Sequence, residues 1–225
     1  MRERVVAIDG PAGSGKTTTA REVARRLGFI HLDSGALYRA ITLAALDAGL
    51  LPEQETRVVA LAAQLPIRWV RTERGFRPEV AGADVSEAIR ETRVTARVSA
   101  YAARPAIRDW VNDQLRAAAA DVETGVVVEG RDIGTVVFPH AGLKVFLTAS
   151  AEARAARRLA QEGKERDPTS VRRQTVELTR RDEADANRDV APLRAPPDAH
   201  VIDTTDLSFD EQVSRVVELA RQAFA

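Results

Sequence analysis

Short runs of branched apolar residues alternate along this 225-residue chain with longer segments in which apolar positions recur every three or four residues. The short runs are Val5 to Asp9, Phe29 to Leu32, Val126 to Glu129, Lys144 to Thr148 and His200 to Asp203, and they have the length and composition of buried strands. Helical spacing covers 15–27, 36–48, 53–63, 105–119, 151–162 and 209–224. Gly28, Gly49 and Gly163 close three of these segments, and Pro52 and Pro105 open two. The alternation predicts an α/β fold: a five-stranded doubly wound parallel sheet covered on both faces. In such a sheet ligands bind beyond the carboxyl ends of the strands, which here carry Asp9-Gly10, Asp33-Ser34, Glu129-Gly130-Arg131-Asp132, Thr148 and Asp203-Thr204.

Two intervals break the rhythm. Residues 34–125 are far more than one crossover needs. Within them Ile67 to Val70 and Pro78 to Val80 predict two short strands flanking a turn at Gly75, with a second turn at Ala81-Gly82, so an inserted subdomain is expected. Residues 163–170 are polar, interrupt two helical patterns and lie among arginines, which suggests a mobile lid.

Between the first strand and the first helix stands Gly10-Pro11-Ala12-Gly13-Ser14-Gly15-Lys16-Thr17, followed by Thr18. This G-x-x-x-x-G-K-T pattern has the strand before it and the helix after it that its chemistry requires. Glycines let successive N–H groups turn inward toward phosphate oxygens, and the helix start adds partial positive charge. Lys16 reaches the outer phosphates, and the Thr17 hydroxyl can ligate Mg²⁺. Only Lys16, Lys144 and Lys164 of the 33 basic residues are lysines, so this position keeps a compact ammonium in a chain that otherwise uses arginine. The pattern predicts binding of a nucleoside triphosphate.

Composition narrows the remaining classes. Acidic and basic residues balance at 33 each, so there is no basic field for a nucleic acid. The absence of cysteine excludes disulfides, thiolate nucleophiles and cysteine zinc sites. The apolar stretch after Met1-Arg2-Glu3-Arg4 is too short for a signal peptide and no run spans a membrane, so a cytoplasmic protein is expected. Nothing marks an obligate apolar interface, and a monomer is expected. His31, His140 and His200 are scattered without metal spacing and receive no function. Tyr38, Trp69 and Trp110 are expected to pack structurally.

Asp33-Ser34-Gly35-Ala36-Leu37-Tyr38-Arg39, the run Glu129 to Val137, and the run Arg180 to Arg188 followed by Ala191-Pro192-Leu193 together resemble the bacterial cytidylate kinases, a family of nucleoside monophosphate kinases with a P-loop. The resemblance extends from the first strand to the last helix. It implies a single P-loop kinase domain over 1–225, a monophosphate-binding region at about 34–120 and a lid at about 159–172. The implied reaction is transfer of the γ-phosphoryl group of ATP to CMP or dCMP, with Mg²⁺ required. It assigns substrate recognition to Ser34, Arg39, Ser99, Arg108, Arg131, Asp132, Arg181, Asp185 and Arg188, and ATP binding to the loop with Arg157.

The residue types suit that chemistry. An acceptor phosphate is already anionic and needs no general base, so the demand is for positive charge in a dry site. Arg154 and Arg158 fall on one face of the helix entering the lid, and Arg181 and Arg188 are expected on the helix leaving it. With Lys16 and Arg131 these make the catalytic set. Cytosine presents an exocyclic amine with N3 and O2 acceptors, which Asp132, Ser99, Arg108 and Arg131 can answer. Uracil would turn its O4 toward Asp132. Glu129 stands where relatives often have Asp, and Thr17 where many have Gly. The rival readings are a kinase of a hydroxyl acceptor such as shikimate or gluconate, which usually has a shorter insertion, and a GTP-dependent switch, which would need D-x-x-G and N-K-x-D; neither motif occurs.

Overall fold

The computed structural model describes residues 3–72 and 75–225. Its centre is a parallel sheet of five strands: β1 (Glu3–Asp9), β2 (Ile30–Asp33), β6 (Val126–Gly130), β7 (Ala141–Thr148) and β8 (His200–Asp203), arranged β2-β6-β1-β7-β8. Val6, Ala7 and Ile8 in the middle strand are fully buried, as a strand covered on both faces must be. Two apolar cores result. One face packs against α2 (Ser34–Asp47), α3 (Glu55–Gln64), α4 (Thr92–Ala102) and α5 (Pro105–Ala120), and the other against α1 (Lys16–Leu27) and α8 (Phe209–Ala223). Helices α6 (Ala151–Gln161) and α7 (Pro168–Ala186) pack on each other.

All five expected strands are present, and so are the helix stops. Gly28, Gly49 and Gly163 lie at φ of 68°, 66° and 65°, the left-handed geometry in which glycine closes a helix. The insertion is organised differently from the expectation. Strand β3 (Ile67–Thr72) pairs antiparallel with β4 (Gly75–Val80), and Ala81 and Gly82, both at positive φ, turn the chain into the short strand β5 (Ala83–Asp84). Gly75 therefore begins a strand instead of forming a turn; Glu73 and Arg74, in the expected turn, lie outside the described residues, as do Met1 and Arg2. The hairpin is also not a separate layer. Gly75 pairs in parallel with His31, which continues the main sheet into the insertion.

Helix α4 was not legible as a separate element. Arg188 lies two residues beyond the end of α7, not on it, because the helix stops at Ala186 and Asn187 caps it. The segment 162–167 between α6 and α7 is exposed and irregular.

Candidate active site

Asp9 ends β1 and is almost wholly buried. Its two carboxylate oxygens accept from the N–H groups of Ile133 (2.8 Å) and Gly134 (2.7 Å), which start a π-helical turn over Ile133–Val137. Burial raises the Asp9 carboxyl to about 6, although both backbone donors oppose the shift. The chain then passes so close to β7 that a Cβ on Gly10 would stand 2.0 Å from the Leu147 carbonyl oxygen. Gly13 and Gly15 adopt φ of 77° and 87°, and the loop curls into the amino end of α1.

Lys16 is buried at the base of this loop and donates to the Pro11 carbonyl at 2.6 Å. Burial, followed by the nearby Arg131 charge, pushes its pKa well below that of a free lysine, against the pull of Glu129, Asp182 and Asp9. The Thr17 hydroxyl donates to Glu129 Oε2 at 2.8 Å, whereas the Thr18 hydroxyl is turned back onto the Gly15 carbonyl at 2.9 Å. Glu129 is the hub beneath the loop. Its Oε1 lies 2.9 Å from His31 Nε2, and its backbone carbonyl accepts from the Ser34 hydroxyl at 2.7 Å. Burial works against its ionisation, but His31, Lys16 and Thr17 outweigh it and hold the carboxylate below its ordinary pKa. Asp33 is pushed the other way, by burial and then by the Glu129 charge, and it caps α2 by accepting from the Ala36 N–H at 3.1 Å.

Beyond the strand ends the arginines converge. Arg108 is buried, ion-paired with Asp132, bonded to the Ala102 carbonyl at 3.0 Å and set 5.6 Å from the centroid of the Tyr38 ring. Ala102 closes α4, the helix that also carries half-buried Ser99. Arg131 pairs with Asp185 at 3.1 Å, so the cation that meets Asp132 is Arg108. Arg39 donates to Thr95 Oγ1 at 2.7 Å; burial, then the Arg181 charge, lowers its pKa to about 10. The guanidinium of Arg181 is lowered by burial and by Arg131 and Arg158, and its buried Nε has no partner among the described residues. Arg188 is lowered by burial and by Arg108, while it donates to the Ala191 carbonyl at 2.7 Å. Cations held out of water and near one another, one with an idle donor, form a site that a multiply charged anion stabilises.

Three lid-side arginines are engaged with protein groups. Arg154 donates to the carbonyls of Ala12 (2.8 Å) and Ala149 (3.2 Å) and is ion-paired with Asp182. Arg157 is tied to Thr204, with 2.9 Å to its hydroxyl, and half-exposed Arg158 pairs with Glu162 at 2.6 Å. Sequence reasoning missed His31 and Asp182. His31 carried no metal spacing, and Asp182 looked like any acid on a charged helix; only the third dimension brings them to Glu129 and Ala12. His140 and His200 line a groove with Lys144 and Asp198 at the amino ends of β7 and β8, away from the loop.

Among the described residues no three acidic, histidine or cysteine side chains gather as a metal site. The oxygen donors beside the loop, Thr17 Oγ1 and the Glu129 carboxylate, nevertheless suit a hard cation that brings most of its ligands as phosphate and water.

A family model described as Cytidylate kinase matches residues 6–222. A cytidylate kinase of Pseudomonas savastanoi pv. phaseolicola is 44% identical over 100% of this chain and 99% of its own length. One of Streptococcus suis is 43% identical, covering 99% and 98%, and one of Geobacter sulfurreducens is 42% identical, covering 98% and 94%. An uncharacterized protein from Eubacterium ventriosum of known crystal structure superposes with a TM-score of 0.53 at 12% identity over 96% of this chain and 98% of that one, a likeness of fold alone. With a match that runs from β1 into α8, the chain belongs to the cytidylate kinase family.

Proposed function

We propose that this protein transfers the γ-phosphoryl group of ATP to CMP or dCMP, forming ADP and CDP or dCDP. The observation that carries the reading is the cluster of buried and half-buried arginines beyond the sheet, with Arg181 Nε unpartnered among the described residues, beside a loop built for a triphosphate. A kinase of a hydroxyl acceptor would need a carboxylate poised as base, and the whole-length family match does not favour it.

In this reading the loop from Gly10 to Thr18, through its free N–H groups from Gly13 onward, and the Lys16 ammonium hold the ATP phosphates, and a polyphosphate adds to the negative charge that Glu129, Asp182 and Asp9 set against burial at Lys16. Magnesium, when bound, neutralises phosphate charge; Thr17 would ligate it and Glu129 would hold its water. Arg131, Arg181 and Arg188 take the charge that spreads over the transferring group and keep the two anionic reactants together, with Arg158 reaching in from α6 and Arg157 serving the ATP side. No residue is asked to remove a proton. Ser34, Arg39, Ser99, Arg108, Asp132 and Asp185 form the acceptor side, where Asp132 takes a hydrogen bond from the exocyclic amine of cytosine. Residues 34–120 act as the monophosphate-binding region and 159–172 as the lid that excludes water. The chain works as a cytoplasmic monomer; of its large exposed apolar side chains, Leu51, Val176 and Phe209 lie on different elements.

A coupled assay of ADP release with CMP, dCMP, UMP, AMP and shikimate in turn tests the reading. CMP and dCMP should be turned over fastest, and preference for shikimate would reject it.

A further inference from the structure

The phosphate loop is gripped from outside by the two helices that lead into and out of the exposed 162–167 segment. Both peptide groups that flank the Ala12 Cα are held: the Ala12 N–H donates to Asp182 Oδ1 at 2.9 Å, and the Ala12 carbonyl accepts from Arg154 Nη1 at 2.8 Å. Arg154 on α6 and Asp182 on α7 are themselves ion-paired, which closes a ring through one loop residue. The Ala12 methyl packs against Ala155 and Leu178, in the seam between the same helices. One residue further on, a Cβ on Gly13 would stand 3.1 Å from both the Cβ and the carbonyl oxygen of Arg154, so α6 lies directly against the loop.

We infer that Asp182, through Arg154 and Ala12, is a positioning residue that latches the α6–α7 pair to the phosphate loop, so that triphosphate binding and lid placement are coupled. The geometry leads there in steps. Loop N–H groups bind phosphate only when their peptide planes are fixed; the Asp182 carboxylate fixes the plane that carries the Ala12 N–H, and the Arg154 guanidinium fixes the next one, which carries the Ala12 carbonyl and the Gly13 N–H, each with one charge-assisted bond. Arg158 and Arg181 ride on the same two helices. Whatever rotates α7 moves Asp182 and Arg181 together, and the Asp182 end of that motion is anchored in the loop. A geometry of this kind delivers the arginines to the phosphates only while the loop itself is in its binding shape. Arg154 thereby acts on the loop instead of on the substrate.

The inference deepens the function proposed above and rests on that reading for the role of the lid, so its test uses ATP binding without an acceptor. Titration calorimetry of ATP with Mg²⁺ on the full chain should show binding weakened about tenfold or more in Asp182→Ala, because two charge-assisted bonds are lost. Asp182→Asn keeps an acceptor for the Ala12 N–H but not the ion pair, and should fall between, at about threefold or more. In both variants hydrogen exchange of the peptide containing Ala12 and Gly13 should quicken without nucleotide, while that of β7 stays unchanged. A merely structural ion pair would lower the melting temperature without moving either readout. Whichever variant is folded by its circular-dichroism melt, an ATP affinity within about twofold of the unaltered chain overturns the latch. Failure of the unaltered chain to phosphorylate CMP would instead reject the function and leave this result standing.

Discussion

Replacing Asp132 with Asn separates the role its carboxylate has in the structure, pairing with Arg108, from the role proposed for it, accepting from cytosine. The side chains of Asp132 and Arg108 are only 6% and 2% exposed, so their ion pair is shielded from water. Removing the charge leaves Arg108 with a neutral amide oxygen, the Ala102 carbonyl and the Tyr38 ring as its surroundings. Breaking a buried pair outright costs about 3–5 kcal/mol, but Asn retains an acceptor, so the loss is nearer the worth of one charged hydrogen bond, about 1.5–3 kcal/mol. For a chain of this size that lowers the melting temperature by roughly 3–12 °C. The second role is base selection. An Asn amide can donate to the O4 of uracil, which removes a repulsion while it weakens the contact with the cytosine amine, and one such polar pair is worth about 1–3 kcal/mol. The ratio of kcat/KM for CMP over UMP should therefore fall at least about 5-fold, mostly through loss with CMP. Coupled ADP-release kinetics with both nucleotides, alongside a thermal melt, read the two effects separately. Equal decline with CMP and UMP at the predicted loss of stability would refute base recognition and leave Asp132 as the partner of Arg108 alone.

Lys16→Ala should lower turnover by about 10²–10³-fold while the fold survives, since burying the ammonium stabilises nothing by itself; near-normal turnover would reject the phosphate role of the loop. His31→Ala strands Glu129 Oε1 in the interior and should cost about 1–3 kcal/mol in denaturant unfolding together with a raised KM for ATP, and His31→Gln, which keeps a donor, should recover part of both. Indistinguishable Ala and Gln variants would show that the hydrogen bond is idle. Asp9 gives a pH signature of definite sign. Its folded pKa of about 6 stands above the unfolded value of 3.8, so the unfolded chain ionises first and stability from this group, complete below 3.8, is lost as pH rises through 6. The swing is about 3 kcal/mol, and the difference in unfolding free energy between the unaltered chain and Asp9→Asn should change by that order between pH 4 and 7; a flat difference contradicts the burial argument.

Much of this architecture can be read in the sequence because its signals are local. A run of branched residues such as Val5 to Ile8 has no stable place except between two other strands, and a glycine such as Gly28 can stop a helix without help from elsewhere. The phosphate loop is equally local, its geometry written in the eight consecutive positions from Gly10 to Thr17. What stayed hidden is every contact made across the sequence. The pairing of Gly75 with His31 joins residues from different elements, and neither strand alone announces it. Arg108 and Arg131 are both plausible companions of Asp132, and Arg131 is its neighbour in sequence, yet the buried position of α5 gives the pairing to Arg108. Asp182 sits in a charged run where side-chain chemistry does not distinguish an acid facing solvent from one bonded to the loop.

The joint between insertion and sheet has a mechanical consequence. Among the described residues one pair, His31 with Gly75, stitches β4 to β2, and a Cβ at Gly75 would stand 3.0 Å from the His31 carbonyl oxygen, so the approach depends on the missing side chain. What holds the hairpin besides this pair is apolar: buried Ile67, with Trp69, Phe76 and Val80, shares the core that α2 lines, so the hairpin moves only with that packing. The stitch falls on the residue whose side chain steadies Glu129, so any such movement is felt directly beneath the triphosphate loop, and a bulkier residue at position 75 would loosen the insertion and disturb the floor of the loop in one stroke.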